Sequence, residues 1–202
     1  NKNFTCGMGG AFCTNDEELY KYIMCYSRQG DSGEKFKYKL AGHNYRMTNV
    51  AAAILLSQLE QCNDIFNERK KMYNMYEKYL KDIPEIKIQK MEPNTTSSFW
   101  YLVVRFEGNI NYEFIESRLL KYKIETRPMF YPLEHFDHVE DIKYDEESSS
   151  PDKLNDQYFY LPFNNLSENI IKYVCKSLKQ VINSCVNEKL SIVNLKDSWC
   201  DE

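Results

Sequence analysis

A lysine stands beside a glycine-rich turn near the start of the printed sequence. Residues 1–10 read N-K-N-F-T-C-G-M-G-G, with Lys2 ahead of Gly9 and Gly10. A lysine amine that loses its proton in a suitable pocket can act as a nucleophile and move protons. The two glycines permit unusual backbone angles and close approach of neighbouring atoms. Taken alone, the segment is more typical of a turn that leads into a strand beside a surface lysine.

Two further loops carry polar side chains among glycine, proline and aromatic residues. Residues 42–49 contain Asn44 and Arg46, although the plain interpretation of this loop is a cap for the helix that follows. Residues 125–133 contain Arg127 together with two prolines that fix a rigid, extended turn. A stiff aromatic loop of this kind can border either a core or a binding site.

The elements that must position these loops alternate between helix and strand, which predicts an α/β fold. The predicted helices cover residues 16–27, 50–83, 112–122 and 167–185, and the predicted strands cover residues 11–13, 86–88 and 98–106. By type, the strand at 86–88 is an edge strand and the strand at 98–106 is a central one.

Capping signals and apolar positions refine these helices. Thr14 precedes Glu17 at capping-box spacing, and Thr48 or Asn49 can cap the second helix. That helix is apolar on nearly every face over its first seven residues, so we expect its start to be buried, with another subunit as one possible partner. The positions predicted to face the core of the later helices are Phe114, Ile115, Leu119 and Leu120, and Ile170, Ile171, Val174, Leu178, Val181, Ile182 and Cys185.

Three divisions of the chain are predicted. Residues 1–84 read as a partial domain, residues 85–187 as a smaller α/β module, and residues 188–202 as a loosely held tail. Residues 140–153 are acidic and serine-rich, which is typical of an exposed loop. Because the sequence begins inside a loop without a methionine, we expect the natural protein to extend upstream.

Composition excludes some classes of function. The 202 residues carry a formal net charge of -4 and no basic stripe, which argues against a nucleic-acid partner. No apolar run reaches the ~18 residues that a membrane span needs. Seven cysteines at irregular spacings, without a C-x-x-C pair, predict a reducing, cytoplasmic location rather than a zinc site. His43, His135 and His138 lack a ligand cluster, so we predict no metal and assign them to loop packing or the surface.

In their order and spacing, the three loops resemble the DegT/DnrJ/EryC1/StrS family of PLP (pyridoxal phosphate)-dependent sugar-nucleotide aminotransferases. The family signature runs N-K-x-x-T-x-G-E-G-G, then T-N-D-E-E-L, G-[YFH]-N-[YF]-R-[ML]-T-[ND] and T-R-P-F-F. The resemblance covers about residues 1–182. It implies the aspartate aminotransferase-like fold (fold type I), with the end of the large domain followed by the small C-terminal α/β domain.

The resemblance also implies roles for single residues. Lys2 matches the lysine that binds PLP covalently, and Asn44 matches a residue that reaches the PLP phosphate of the other subunit. Arg46 matches an arginine offered across the dimer to the carboxylate of the amino-acid donor. Arg127 lies in the loop that borders the sugar-nucleotide site of relatives. A homodimer with shared active sites follows from these roles.

Finer details are similar to the GDP-perosamine synthases, which move an amino group from glutamate to C4 of a GDP-linked 4-keto-6-deoxy sugar for polysaccharide biosynthesis. Two positions depart from the family pattern: Met8 replaces a glutamate, and Glu134 stands where family members often have a histidine after the Pro-Leu pair. In the family, the aspartate that pairs with the pyridine nitrogen precedes the lysine. A non-catalytic assembly partner remains an alternative, as does a dehydratase of the same family, although dehydratases carry histidine in place of Lys2.

Overall fold

The computed structural model describes residues 2–108, 112–131, 136 and 157–197, with side chains described as far as residue 184. The chain divides into two compact units, residues 1–63 and residues 64–202.

The first unit begins with a loop and a helix, α1, over Glu17–Ser27. Asp16 caps this helix, because its Oδ1 accepts hydrogen bonds from the backbone N–H groups of Glu18 at 2.9 Å and Leu19 at 3.0 Å. The predicted cap at Thr14 is therefore wrong by two residues. The Thr14 hydroxyl instead accepts from the N–H of Asp16 at 3.0 Å, which fixes the turn ahead of the helix.

The predicted helix over 50–83 is two helices. Helix α2 covers Asn49–Leu59 and α3 covers Cys62–Leu80. Thr48 caps α2 by accepting from the N–H of Ala51 at 3.2 Å, which confirms one of the two predicted caps. The break falls where the apolar pattern turns amphipathic, and the N–H of Gln61 bonds to the carbonyl of Gln58, an i to i−3 contact that tightens the end of α2.

The predicted strand at residues 11–13 does not form. These residues are exposed, and within the described part of the first unit the only β-type pairs are the isolated bridges Arg28↔Asn44 and Asp31↔Tyr38. A strand needs a neighbouring strand to satisfy its backbone groups, and a three-residue run has no such neighbour here.

The second unit is built on a four-stranded antiparallel sheet in the order β1-β2-β4-β3. Its strands are Ile86–Ile88 (β1), Leu102–Phe106 (β2), Arg127–Pro128 (β3) and Tyr158–Leu161 (β4). The predictions of β1 as an edge strand and β2 as a central strand are both confirmed. In register, Leu102 pairs with Leu161 and Val104 with Phe159.

Strand β2 begins four residues later than predicted because a buried arginine side chain donates hydrogen bonds to the carbonyl groups that precede it. Nη1 of Arg69, on α3, donates to the carbonyl oxygens of Phe99 and Trp100, both at 3.1 Å. Phe99 also has a φ of 48°, in the left-handed region, which turns the chain out of extended geometry. These carbonyls are thus satisfied outside the sheet.

The core of the second unit lies between one face of the sheet and three helices. Besides α3, these are α4 over Tyr112–Lys121 and α5 over Glu168–Asp197. Of the predicted core positions, Ile115, Leu119, Ile171, Val174, Leu178, Val181 and Ile182 are buried. Leu120 and Ile170 are exposed, which corrects two positions, Phe114 is half-buried, and the side chain of Cys185 lies outside the described part.

The compact units divide earlier along the chain than the predicted boundary at residue 84. The buried residues of α3, which include Met72, Tyr76 and Leu80, belong to the core of the second unit. Helix α5 continues through Asp197, where a loose tail was predicted from 188 onwards, and residues 198–202 and 140–153 lie outside the described part. Within the described residues, no helix combines the length and apolar character that crossing a membrane requires.

Candidate functional site

The loop that carries Lys2 is fastened to α2. Lys2 is exposed, and three residues further on the N–H of Thr5 donates to Oε1 of Gln58 at 3.0 Å. The side-chain amide of Gln58 donates in return to the carbonyl of Thr5, so one glutamine satisfies both backbone groups. This pair links the lysine loop to a helix 53 residues away in sequence.

Two glycines of this loop have different structural roles: Gly9 lies close to neighbouring side chains, and Gly7 has a positive φ angle. A Cβ atom on Gly9 would lie 2.8 Å from Cε of Met47 and 3.3 Å from Sγ of Cys6, so the end of the Met47 side chain lies against the backbone of Gly9. Gly7 has a φ of 88°, whereas a Cβ on Gly10 would meet open space. The contact at Met47 joins the lysine loop to the loop of Asn44 and Arg46 within one unit.

Backbone hydrogen bonds hold the second loop in an extended pairing. The N–H of His43 donates to the carbonyl of Tyr26 at 2.8 Å, the N–H of Gln29 to the carbonyl of His43 at 3.0 Å, and the N–H of Tyr45 to the carbonyl of Ser27 at 3.0 Å. Gly42 allows this approach, because a Cβ there would lie 2.4 Å from the nitrogen of Gly30.

An aromatic stack supports the same loop. The ring of His43 stacks on Tyr45 with centroids 5.0 Å apart, and Tyr26 meets His43 edge-on at 5.3 Å. His43 therefore packs the loop, as predicted. His135 and His138, the other two histidines weighed as metal ligands, lie outside the described residues. Within the described part, no group of three or more His, Cys, Asp or Glu side chains is placed to hold a metal ion.

Asn44 and Arg46, two residues singled out from the sequence, are brought together. Nε of Arg46 donates to Oδ1 of Asn44 at 3.3 Å, and both residues are exposed. Because the amide oxygen is the acceptor, the amide N–H groups of Asn44 and the terminal N–H groups of Arg46 remain donors. A pair of this kind presents several N–H groups to an anion.

Residues 28–46 form a hairpin, paired through the Arg28↔Asn44 and Asp31↔Tyr38 bridges, and it contains basic residues that the sequence pattern did not reveal. A depression of about 440 Å³ lies among residues 28–46, and Arg28, Lys35 and Lys37 line it together with Arg46. The spacing of these residues matches no motif, and residues 30–33 read only as a loop. Their proximity to Arg46 arises from the turn of the hairpin.

Arg127 lies in the second unit, exposed on the edge strand β3. It pairs in register with Tyr160, and the ring of Phe130 meets Tyr160 edge-on at 5.9 Å. The preceding residue, Thr126, is buried, and its hydroxyl lies 3.0 Å from the hydroxyl of Tyr112. Burial raises the pKa of Tyr112, so this hydroxyl stays protonated and the contact fixes the start of the loop.

The fold is that of sugar aminotransferases of known structure. The aminotransferase TlmJ from Streptoalloteichus hindustanus superposes with a TM-score of 0.74 at 20% identity, over 86% of this chain and 47% of that chain. Solved relatives of this fold are fold type I PLP-dependent enzymes, which confirms the predicted fold class.

The chain belongs to the DegT/DnrJ/EryC1/StrS aminotransferase family, whose model matches residues 1–179. It is 31% identical to GDP-perosamine synthase of Escherichia coli O157:H7 over 182 residues, which cover 89% of this chain and 49% of that protein. It is 27% identical to GDP-perosamine synthase of Vibrio cholerae, over 91% of this chain and 51% of that protein. The chain thus spans about half the length of these relatives.

PLP is the cofactor of this family, and the residues present fit part of it. PLP carries an aldehyde, a phosphate and a pyridine nitrogen. The amine of Lys2 suits the aldehyde, and the N–H donors of Asn44 and Arg46 suit phosphate and carboxylate groups. The packing of Gly9 on Met47 and the pairing of Thr5 with Gln58 join the elements that carry these donors.

Proposed function

We propose that the protein containing this chain transfers an amino group from an amino acid, glutamate in the first instance, to C4 of a nucleotide-linked 4-keto-6-deoxy sugar. The product would be an amino sugar such as GDP-perosamine, destined for polysaccharide or glycan biosynthesis. The observation that carries the proposal is the exposed Lys2 on a loop fastened to α2 by the Thr5–Gln58 pair, in a chain whose named relatives include two GDP-perosamine synthases.

When bound, PLP would supply the electron sink for moving a proton and an amino group. Lys2 would hold the cofactor and then carry protons between donor, cofactor and sugar. Its loop is suited to this role because the Thr5–Gln58 pair fixes its far side while Lys2 stays exposed.

Asn44 would bind the cofactor phosphate through its amide N–H groups, and Arg46 the carboxylate of the amino-acid donor through its guanidinium fork. Arg127, on its rigid edge strand, would contact the sugar nucleotide. By the resemblance, Asn44 and Arg46 serve the site of a second subunit, which makes the active protein a homodimer. The exposed apolar residues of α2 support this assembly, because they need a protein surface to cover them.

We also propose that residues 1–84 belong to a large cofactor-binding domain and that residues 85–187 form a small C-terminal domain. The proposed location is the cytoplasm, which is supported by the free thiols of the five cysteines that the structure describes with side chains. Family membership gives no support to the alternative of a non-catalytic assembly partner.

The test is an amino-transfer assay on the whole protein with PLP, glutamate and GDP-4-keto-6-deoxymannose. We expect 2-oxoglutarate and an amino sugar to form together, as measured by mass spectrometry. Matched reactions with dTDP- and UDP-linked 4-keto sugars would establish the nucleotide. Absence of 2-oxoglutarate with all three sugars would sink the proposal.

The role of Arg46 can be tested separately with Arg46→Lys, which keeps the charge and removes the planar fork. Loss of a bidentate carboxylate contact should raise KM for glutamate by on the order of tenfold or more. The control is Arg118→Lys, a half-buried arginine on α4 whose guanidinium lies 4.2 Å from the ring centroid of Phe114. An unchanged KM for glutamate in Arg46→Lys would remove Arg46 from the donor site.

A further inference from the structure

Gln58, one residue before the end of α2, makes three hydrogen bonds through its side-chain amide. Its Oε1 accepts from the N–H of Thr5 at 3.0 Å, and its Nε2 donates to the carbonyl of Thr5. Nε2 also donates to the carbonyl of Ile54 at 3.2 Å, one helical turn earlier. An amide rotated by half a turn would set donor against donor at Thr5, so these contacts fix the orientation of the amide group.

The amide of Gln58 gives Thr5 the two hydrogen bonds that a neighbouring strand would otherwise supply. Residues 2–10, which are all described, form neither helix nor strand. Thr5 lies three residues from Lys2, which is at most about 10 Å of extended chain. The point at which the Lys2 side chain leaves the backbone therefore depends on where Gln58 holds Thr5.

Helix α2 gives Gln58 a fixed base. Thr48 caps the start of the helix, and at its end the N–H of Glu60 donates to the carbonyl of Leu56 at 2.9 Å. The N–H of Gln61 donates to the carbonyl of Gln58 itself at 3.1 Å. Because the last turns of a helix fray when their carbonyls lack donors, these bonds keep the backbone of Gln58 in place.

We infer that Gln58 is a positioning residue for Lys2, and this inference rests on the proposed function. Gln58 acts through Thr5, by setting the place and direction from which the Lys2 amine reaches PLP. A displacement of about 1 Å at a reacting group can lower a rate about a hundredfold, so a tether of two hydrogen bonds at this distance controls the reaction. Glutamine suits the role because one side chain supplies both a donor and an acceptor.

The first test measures the tether in the whole protein without PLP, by hydrogen exchange resolved to the amide of Thr5. Gln58→Met keeps the length and the helix propensity of the side chain and removes both bonds to Thr5. We expect this amide to exchange about three- to tenfold faster in Gln58→Met, as loss of its acceptor implies. An unchanged exchange rate at Thr5 would overturn the inference.

The second test measures the consequence for Lys2 in the same variant. The rate at which added PLP acquires the absorbance of the protein-bound cofactor should fall about tenfold, and kcat for amino transfer about ten- to a hundredfold. KM for glutamate should change by less than about threefold, because Arg46 is untouched. A raised KM with an unchanged kcat would contradict a positioning role.

Gln58→Glu provides a graded variant and Gln61→Met a matched control. Gln58→Glu keeps the acceptor for the N–H of Thr5 and removes the donor to its carbonyl, so its effects should lie between those of wild type and Gln58→Met. Nε2 of Gln61 donates to the carbonyl of Ser57 at 2.9 Å, in the preceding turn, so Gln61→Met should change neither exchange at Thr5 nor attachment of PLP.

Equal losses in Gln61→Met and Gln58→Met would assign the effect to α2 as a whole and overturn the inference. If Gln58→Met loses its helical signal in circular dichroism, the comparison of Gln58→Glu with Gln61→Glu decides the result. A larger loss in Gln58→Glu would then support the inference, and an equal loss would overturn it.

The amino-transfer assay separates this inference from the proposed function. Faster exchange at Thr5 and slower attachment of PLP in Gln58→Met, in a protein without amino-transfer activity, would keep Gln58 as a positioning residue for Lys2 and remove the function. Amino transfer with the same kcat in Gln58→Met as in wild type would keep the function and remove the inference.

Discussion

The two units of the chain bury their apolar residues to very different extents. In the second unit, the sheet and helices α3, α4 and α5 enclose a continuous apolar core. In the described part of the first unit, Gly30 is the only buried residue, and neither α1 nor α2 buries a side chain. The residues proposed for cofactor and donor, Lys2, Asn44 and Arg46, thus lie in the unit with little core of its own.

Helix α2 shows the contrast most clearly. Its residues Val50, Ile54, Leu56 and Leu59 are all exposed, with Val50 at 72%. Full burial of such a side chain contributes roughly 1.5–3 kcal/mol, so the helix gains much more stability from a covering surface than from the residues around it. The proposed second subunit would provide such a surface. We infer that the first unit becomes both stable and catalytically competent when this surface covers it.

The largest expected effect is on the free energy of unfolding, when a leucine is replaced by alanine once in each unit. Leu119→Ala removes a fully buried side chain from α4 and should lower the free energy of unfolding by about 2–5 kcal/mol, as measured by urea denaturation of this chain. Leu56→Ala, on α2, should change it by at most about 0.5 kcal/mol in this chain alone.

Leu120→Ala is the control for helix propensity, because Leu120 neighbours Leu119 and is 53% exposed. It should behave like Leu56→Ala. Equal losses in Leu56→Ala and Leu119→Ala would mean that the two units do not differ as described. Once a covering surface is present, the cost of Leu56→Ala should rise.

Arg69→Met tests the polar contact that shapes the second unit. The substitution leaves the carbonyls of Phe99 and Trp100 without their donor and should cost about 2–4 kcal/mol of unfolding free energy in the same urea measurement. Lys70→Met is the control, since Lys70 is exposed on the same helix. A loss below that of the control would show that the two carbonyls find other partners.

Position 69 also illustrates what could be predicted from the sequence. Thr48 as a cap, β1 as an edge and Leu119 as a core residue follow from local patterns of polarity and capping, so all three were predictable. The start of β2 was not, because it depends on an arginine 30 residues earlier in the chain.

The candidate site divides in the same way. The motif spacing identified Asn44 and Arg46, and the structure brings them within hydrogen-bonding distance. Arg28 and Lys35 were not identified, because their proximity to Arg46 depends on the hairpin and on no fixed spacing. The exposure of α2 was missed for a related reason: an apolar pattern predicts that a helix is covered and does not say which protein surface covers it.

A smaller effect is expected at high pH, again in the second unit. Burial raises the pKa of the Cys175 thiol to about 12. An unfolded cysteine loses its proton near pH 8.5, so between that pH and about 12 the unfolded state binds fewer protons than the folded state and stability falls as pH rises. Burial also raises the pKa values of Tyr76 and Tyr112, which adds to the loss.

Urea denaturation from pH 7 to pH 10.5 measures this slope. Stability should be constant up to about pH 8 and then decline, and Cys175→Ala, although less stable throughout, should show a shallower decline. A decline that is equally steep without the thiol would assign the whole effect to other groups.

The most direct test of the central claim is to locate the cofactor on the whole protein. After addition of PLP, borohydride reduction and peptide mapping by mass spectrometry, we predict a phosphopyridoxyl group on Lys2. The absorbance of protein-bound PLP should be lost in Lys2→Ala and kept in Lys21→Ala, an exposed lysine on α1 that pairs with Glu17 and Glu18. A phosphopyridoxyl group on another lysine, or an unchanged spectrum in Lys2→Ala, would contradict the assignment of Lys2.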